Sequence, residues 1–148
     1  MSGETVSGLM TSKVRTVDMD QTLAHVREIF ARVSFHHLVV IDNEKIVGLI
    51  SDRDLFRAVS PFAGTSVEQT RDAHTLQQKV HQIMTRQVIT CRGETPAWKA
   101  GRLMLEKRVS CLPVVDREGQ CVGILTLRDI ARWAIERMNG GGATTRAA

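Results

Sequence analysis

Hydrophobic residues recur along the chain with two different periods, one typical of helices and one typical of strands. Between residues 23 and 33, apolar side chains recur every three or four positions, which predicts an amphipathic helix. Two short apolar runs follow, at residues 38–41 and 46–51, and they predict a pair of strands. The polar residues 42–45 between them predict a hairpin turn, and a second helix follows with Leu55 and Ala58 on its apolar face.

The same series of elements occurs a second time in the chain. The Met-Thr dipeptide at residue 10 recurs at residue 84, and further positions match in the same frame through the next strands. After a one-residue insertion in the second copy, Gly48 falls on Gly123. So many matches in one frame indicate an internal repeat, and each copy is predicted to run strand, helix, strand, strand, helix.

Each repeat alone is too small to bury both faces of its hairpin. We therefore expect an α/β (α+β) fold in which two βαββα repeats pack about a pseudo-twofold axis and leave two equivalent clefts. The expected boundaries are residues 1–65 for the first repeat with its N-terminal segment and 66–139 for a connecting helix and the second repeat. The connecting helix is expected over residues 66–83. Glycines 140–142 are expected to end the last helix and to begin a flexible tail, residues 140–148.

Composition and charge exclude several classes of function. A net charge of +4 suits a phosphate-bearing ligand as well as nucleic acid, but aromatic residues make up only 4% and there is no tyrosine. A stacking platform for single strands needs exposed rings, and no DNA- or RNA-binding motif is present, so we expect no nucleic acid partner. No secretory signal is visible, and no apolar run approaches the roughly 20 residues that span a bilayer. We therefore expect a cytoplasmic protein without membrane contact.

Catalysis and metal binding are not indicated by the sequence. The three cysteines form neither a disulfide framework nor a Cys-x-x-Cys pair, and Cys111 and Cys121 lie in apolar runs as small buried hydrophobes would. The adjacent His36 and His37 stand at the entrance to a strand, and no histidine pair has the spacing of a zinc site, so ordinary boundary histidines are expected. No nucleophile with a base, P-loop or G-x-S-x-G motif occurs, so we expect no enzyme and no catalytic residue.

One short motif occurs in both repeats, where the last strand meets the closing helix. A hydroxyl residue, Ser51 or Thr126, is followed three positions later by an aspartate, Asp54 or Asp129. Taken alone, this pattern favours a capping box, which is common in proteins without any ligand. A helix N-terminus with a hydroxyl and a neighbouring arginine also suits phosphate, and the carboxylate can accept from both hydroxyls of a ribose. The two interpretations are compatible, since one residue can serve each in the empty and the filled state.

The whole order of motifs resembles the CBS domain family, named after cystathionine β-synthase. The resemblance rests on Met-Thr, Val-x-Thr, Leu-Pro-Val-Val-Asp and Val-Gly-Ile-Leu-Thr-Leu-Arg-Asp, and it extends from about Val6 to Met138. It implies a stand-alone tandem pair, a Bateman module, that binds AMP, ADP, ATP, S-adenosylmethionine or a related ligand, with or without magnesium, in the clefts between the repeats. Such modules regulate an enzyme, channel or transporter and commonly form homodimers. The regulated partner of this chain is not named by its sequence.

The resemblance also implies site residues, position by position. Val39 departs from the pattern, because the second copy and the family have proline there, and we expect a slightly different base geometry at the first site. The alternative that stays open is a structural dimerisation module with vestigial clefts. The implied roles are ribose binding by Asp54 and Asp129, phosphate contact by Ser51 and Thr126, and a base pocket of Thr16, Val17, Leu38, Val39, Thr90, Cys91, Leu112, Pro113 and Val114. From the residues themselves we expect Arg53 or Arg128 to add a charge-assisted bond to phosphate.

Overall fold

Both repeats contain the predicted order of elements. The computed structural model describes residues 3–140 in full, and beyond them it assigns only the helical backbone as far as Ala147. After a 3-10 turn (Val6–Gly8), the elements are β1 (Thr16–Asp18), α1 (Leu23–Arg32), β2 (His37–Asp42), β3 (Lys45–Ser51), α2 (Asp52–Ala58), α3 (Thr70–Leu76), α4 (Val80–Ile83), β4 (Cys91–Arg92), α5 (Ala97–Lys107), β5 (Cys111–Val115), β6 (Cys121–Thr126) and α6 (Leu127–Ala147). The mixed α/β class and the twofold βαββα series are therefore confirmed.

Each repeat forms its own three-stranded sheet, and the two sheets have the same topology. The order is β1-β2-β3 in the first and β4-β5-β6 in the second, with the first pair of strands parallel and the second pair antiparallel. The register shifts at equivalent places, between Val40 and Ile41 and between Val114 and Val115. The internal repeat in the sequence is thus a repeat in hydrogen bonding as well.

The one-residue insertion that separates the copies lies in the second hairpin. In the first hairpin, Asn43 and Glu44 both have positive φ, 49° and 66°, as a two-residue type I′ turn requires. The second hairpin is longer, and Gly119 has a φ of 82° and donates its N–H to the carbonyl of Asp116. Glycine suits this position because its backbone adopts positive φ without strain. Both predicted hairpins are confirmed.

The N-terminal segment packs with the second repeat. One compact unit comprises Met1–Lys13 and Ile89–Ala148, and the other comprises Val14–Val88. Within the first of these units, Thr11 and Ile124 exchange two backbone hydrogen bonds of 3.0 and 2.9 Å, so that a short extended segment pairs with the free edge of β6. The unit boundaries thus differ from those expected at residues 1–65 and 66–139.

Leu49 and Thr85 make the equivalent pair on β3, with hydrogen bonds of 3.0 and 2.8 Å. In both units, therefore, a Met-Thr segment covers the outer edge of the hairpin. The physical reason is that β3 and β6 each have an unpaired edge, and an extended segment satisfies the backbone groups along it. The sequence repeat shows which segments are alike, but it does not say to which sheet a segment is bonded.

The prediction of one connecting helix over residues 66–83 is wrong, because this stretch contains two short helices, α3 and α4. The chain is extended between them, where Leu23 donates its N–H to the carbonyl of Gln78 and Val80 donates to that of Gln21, both at 2.9 Å. These bonds to the start of α1 are incompatible with a continuous helix. At the other end of the chain, the helical backbone continues through glycines 140–142, where a helix end was predicted. The rest of the predicted flexible tail, residues 143–148, lies outside the fully described residues.

A buried carboxylate on α3 is hydrogen-bonded to the segment that follows α2. Asp72 is 7% exposed and accepts hydrogen bonds from the Ser60 hydroxyl at 2.7 Å and from the Gln69 N–H at 2.8 Å. The backbone bond from Gln69, followed by the bond from Ser60, lowers the pKa of Asp72 below its ordinary 3.8. Hydrogen bonds do this because they stabilise the charged form of the carboxyl.

The variant Asp72→Ala is expected to unfold at lower urea concentration than the wild type at pH 7, and this difference is expected to become smaller as the pH falls below 3.8. A depressed folded pKa stabilises the fold above the unfolded value of 3.8, and that stabilisation disappears as the pH falls through the lower folded pKa. Urea unfolding followed by circular dichroism between pH 7 and pH 3 measures the difference. The exposed Glu68→Ala serves as the control, and a difference for Asp72→Ala that does not change with pH would contradict this account.

Candidate functional site

The motif of the first repeat lies where β3 passes into α2. Ser51 ends the strand and caps the helix, and its hydroxyl oxygen accepts the N–H of Asp54 at 3.1 Å. In return, Asp54 Oδ2 accepts the N–H of Ser51 at 2.8 Å. Both residues are half-buried. The capping box predicted from the sequence is therefore present in the first repeat.

The second repeat has the same arrangement at the start of α6. Thr126 Oγ1 accepts the N–H of Asp129 at 3.2 Å, and Asp129 Oδ2 accepts the N–H of Thr126 at 2.9 Å. The other carboxylate oxygen, Oδ1, lies 3.7 Å from the guanidinium of Arg132. In both motifs the reciprocal cap engages Oδ2 of the aspartate, so Oδ1 is the oxygen on which further hydrogen bonds can be made. Arg53 and Arg128 are exposed on the first turn of their helices.

The residues predicted to form the base pocket meet at the same end of each sheet. Thr16 of β1 lies beside Val39 of β2, and β2 in turn begins with His37 opposite Ser51. β1 and β2 are parallel, and β3 is antiparallel to β2. The first residues of β1 and β2 and the last residues of β3 therefore lie at the same end of the sheet. The hydrogen-bonding register thus brings the predicted segments of each repeat together.

Several of these predicted residues face the core of their own unit. Val17 and Leu38 belong to the hydrophobic core of the first repeat, and Cys91, Leu112 and Val114 belong to that of the second. These residues are between 0% and 8% exposed, so little of their surface is open to a ligand within their own unit. The remaining predicted pocket residues are the exposed Thr16, the half-buried Thr90, and the buried Val39 and Pro113.

Three residues that sequence reasoning did not assign to the site lie at the first motif. His36 Nδ1 lies 2.8 Å from Asp52 Oδ2, and the N–H of Asp52 bonds to the carbonyl of His36 at 3.0 Å. His37 stands directly across the strand pair from Ser51, and burial lowers the pKa of His37 below 6.5. The two histidines are visible in the sequence, but their position beside Ser51 follows from the hairpin register.

A depression of about 420 Å³ lies on the outer side of β1, against α1. Arginine and histidine side chains predominate over its one carboxylate, so an anion is favoured there over a cation. It shares Thr16 with the predicted site. Its lining consists of Val14, Arg15, Thr16, His25, Glu28, Ile29 and Arg32.

Cys91 and Cys111 are buried, whereas Cys121, which was expected to be buried, is half-buried. Burial raises the pKa of Cys91 to about 11 and that of Cys111 to about 12, so both thiols are protonated at neutral pH. A protonated thiol is a poor nucleophile and a poor metal ligand. Within the described part of the chain, no three histidine, cysteine, aspartate or glutamate side chains are grouped as a metal site requires. The described helices also include none that is long and apolar enough to cross a membrane.

The sequence profile of the family described as the CBS domain matches residues 6–61 and residues 80–136. The chain belongs to the CBS domain family. Each matched segment contains one βαββα series, so the hydroxyl, arginine and aspartate of each motif lie inside a CBS domain. The two domains correspond to the two copies of the internal repeat.

Curated relatives include both small CBS proteins and larger enzymes. A CBS domain-containing protein of Dictyostelium discoideum is 34% identical over 127 residues, which cover 84% of this chain and 87% of the relative. The inosine-5'-monophosphate dehydrogenase of Methanocaldococcus jannaschii is also 34% identical, over 120 residues, but this chain covers only 21% of that enzyme. CBS domains thus occur within enzymes as one part of a longer chain.

Solved structures of CBS pairs share the fold. CBSX2 of Arabidopsis thaliana, in complex with AMP, has a TM-score of 0.75 and 30% identity, with 92% of this chain and 99% of that chain covered. The CBS domain pair of the protein MJ0100, in complex with 5'-methylthioadenosine and S-adenosyl-L-methionine, has a TM-score of 0.71 and 25% identity, with 93% and 97% covered. This chain is accordingly a tandem CBS pair, and similar pairs bind adenosine-type molecules.

Proposed function

We propose that this tandem CBS pair is a non-catalytic sensor that binds an adenosine-type nucleotide and transmits its presence to a protein partner. The observation that carries the proposal is the duplicated motif, in which a hydroxyl and an aspartate cap the same helix at the end of each sheet. An exposed arginine precedes the aspartate in each copy. The AMP and S-adenosyl-L-methionine complexes of similar CBS pairs support the ligand class. A nucleotide changes the state of such a module only by binding one arrangement better than another.

The hydrogen-bond donors and acceptors that remain in each motif suit a nucleoside phosphate. The hydroxyl oxygens of Ser51 and Thr126 accept backbone N–H groups, which leaves each hydroxyl hydrogen to donate to a phosphate oxygen. Oδ1 of each aspartate accepts from the ribose hydroxyls, while Oδ2 continues to cap the helix. The exposed arginine beside each aspartate supplies a charge-assisted bond to phosphate. Capping and ligand binding therefore use different atoms of the same side chains.

We expect that Asp54→Ala and Asp129→Ala each abolish one binding site and that the double variant loses nucleotide binding. Hydrogen bonds to a charged group contribute about 1.5–3 kcal/mol, which corresponds to a loss of roughly 10- to 100-fold in affinity at each site. Calorimetry with AMP, ADP, ATP with and without magnesium, and S-adenosylmethionine measures affinity and stoichiometry. The exposed Asp20→Ala is the matched control, and it should bind as the wild type does.

Asp54→Asn and Asp129→Asn separate binding from capping in the same experiment. An asparagine oxygen can still accept the capping N–H, but it lacks the charge that favours the ribose hydroxyls, so these variants should fold normally and bind weakly. The absence of binding heat or thermal stabilisation in the wild type with every ligand at millimolar concentration would contradict the sensor function.

A dimerisation module with vestigial sites is the second candidate, and apolar side chains on α5 and α6 favour it. Trp98 and Leu105 on α5 are 51% and 72% exposed, and Ile135 and Met138 on α6 are 64% and 77% exposed. Side chains of this kind are typical of a surface that a second protein covers. The same calorimetric experiment distinguishes the two functions, because a pure scaffold would lose only about 1 kcal/mol of capping stability at each substituted aspartate.

A further inference from the structure

The two motifs have the same caps but different surroundings. In the first repeat the residues beside the motif are His36, His37 and Asp52, all of which can carry a charge. The equivalent positions of the second repeat are Ser110, Cys111 and Leu127, as the matched bonds from Asp52 to His36 and from Leu127 to Ser110 show. The two histidines and the aspartate beside the motif are thus found in the first repeat and are replaced in the second.

His37 is placed where it can act on a ligand held by Ser51. The two residues are direct cross-strand partners in the antiparallel pair of β2 and β3. Side chains at such positions extend to the same face of the sheet, with their Cβ atoms about 4.5–5.5 Å apart. In the second repeat the same relation holds between Cys111 and Thr126, but burial keeps that thiol protonated, with a pKa of about 12.

His36 is held in a fixed orientation at the rim of the same motif. Its Nδ1 bonds to Asp52 Oδ2 at 2.8 Å, and its side chain is 70% exposed while that of Asp52 is 25% exposed. With Nδ1 engaged, Nε2 is the nitrogen that a bound anion would meet. The carboxylate of Asp52 thereby orients the ring.

We propose that the first CBS domain binds the phosphate of its ligand in a proton-coupled manner through His36 and His37, whereas the second CBS domain binds without this coupling. The inference rests on the proposed nucleotide function and goes beyond it, because it makes the two sites respond differently to pH. It assigns to His36 and His37 a role in binding that their equivalents, Ser110 and Cys111, cannot perform.

The direction of the coupling follows from the charges around His37. Burial is the largest influence and lowers the pKa of His37, His36 and Arg53 act in the same direction, and Asp52 and Asp54 oppose them. The imidazole is therefore largely neutral at pH 7 in the empty site. A phosphate beside it favours the imidazolium, so binding takes up a proton and the affinity rises as the pH falls, by at most about tenfold per pH unit for each proton bound.

Single-site variants allow each domain to be measured separately in the full chain. In the Asp129→Ala variant only the first site is expected to bind, and in the Asp54→Ala variant only the second. Calorimetry with ADP between pH 8 and pH 6 is expected to show an affinity gain for the first site that exceeds the gain for the second by about threefold or more. The phosphate of the ligand also titrates near pH 6, but it does so at both sites, so the difference between the sites reports the protein.

Replacement of His36 and His37 by serine and cysteine, the residues of the second repeat, is expected to make the pH dependence of affinity at the first site equal to that at the second. His74→Ser, an exposed histidine on α3, is the matched control. Histidine NMR titration of the wild type provides a measurement that does not depend on a variant, and ADP should raise the pKa of His37. Equal pH slopes at the two sites, or a slope that survives the double replacement, would overturn the inference alone. Failure to bind at every pH would overturn the nucleotide function as well.

Discussion

Removal of residues 1–13 is expected to unfold the second CBS domain, although residues 6–13 belong to the first CBS match in the sequence. Val6 is fully buried in a hydrophobic cluster with Leu112 and Leu125 of the second domain. Leu9 and Met10 pack against the same cluster. Burial of one valine side chain contributes about 1.5–3 kcal/mol, and two further apolar side chains are removed with it.

The truncation also removes backbone hydrogen bonds that the second domain cannot replace internally. Val6 donates to the carbonyl of Thr95 and Ser7 to that of Gly93, both at 2.9 Å, and the pair between Thr11 and Ile124 is lost from the edge of β6. The summed loss is several kcal/mol, which is comparable with the entire 5–15 kcal/mol that stabilises a typical domain. We therefore expect the second domain to lose its cooperative unfolding transition.

Hydrogen exchange followed by mass spectrometry locates the effect. In the truncated chain, the amides of β5 and β6 should exchange rapidly, and those of β2 and β3 should lose less protection. Val6→Ala should give a milder form of the same pattern, while the exposed Ser12→Ala should match the wild type. Loss of protection in β2 and β3 before β5 and β6 would show that the N-terminal segment supports the first domain instead.

The elements themselves could be predicted from the sequence because they depend on local patterns. The helical spacing at residues 23–33 and the apolar runs on either side of each polar turn were sufficient to predict both hairpins and their helices. The capping boxes at Ser51 and Thr126 were predictable for the same reason, since both partners lie within four residues of each other.

The error over residues 66–83 concerns bonds between distant segments. The break between α3 and α4 arises because Gln78 and Val80 are bonded to residues near the start of α1, and the pattern of residues 66–83 does not contain this information. His37 lies at the start of β2, where the sequence predicts a boundary histidine, but its position opposite Ser51 depends on the length of the hairpin turn. The predicted ligand contacts of Arg53 and Arg128 remain predictions.

Gly123→Ala is expected to destabilise the second CBS domain by about 1–3 kcal/mol, the usual cost of forcing extra volume into a well-packed core. A Cβ at this position would collide with the Met10 side chain, touching Sδ and lying 3.0 Å from Cγ. The close approach of Met10 to the β6 backbone therefore requires glycine here. Met84 approaches Gly48 in the same way, but there the Thr85 carbonyl oxygen would also lie 3.1 Å from the new Cβ.

This difference predicts how much of the lost stability a second substitution restores in each glycine variant. Met10→Ala removes the side chain that a Cβ at residue 123 would meet, so Gly123→Ala should cost much less in the Met10→Ala background. At Gly48 the backbone of Thr85 cannot be shortened, so Met84→Ala should rescue Gly48→Ala less completely. Double-mutant cycles from urea unfolding measure both coupling energies.

Gly140→Ala is the matched control, because the Cβ that it would add on α6 meets nothing within 4 Å apart from its chain neighbours and the backbone of its own helix. An alanine in a helix is favoured over glycine by up to about 1 kcal/mol, so this variant should be unchanged or more stable. Additive effects of Gly123→Ala and Met10→Ala would contradict the predicted packing, since two residues that do not touch show no coupling. A strong coupling at both glycines, larger at Gly123, would establish that each Met-Thr segment is packed against the hairpin to which it is bonded.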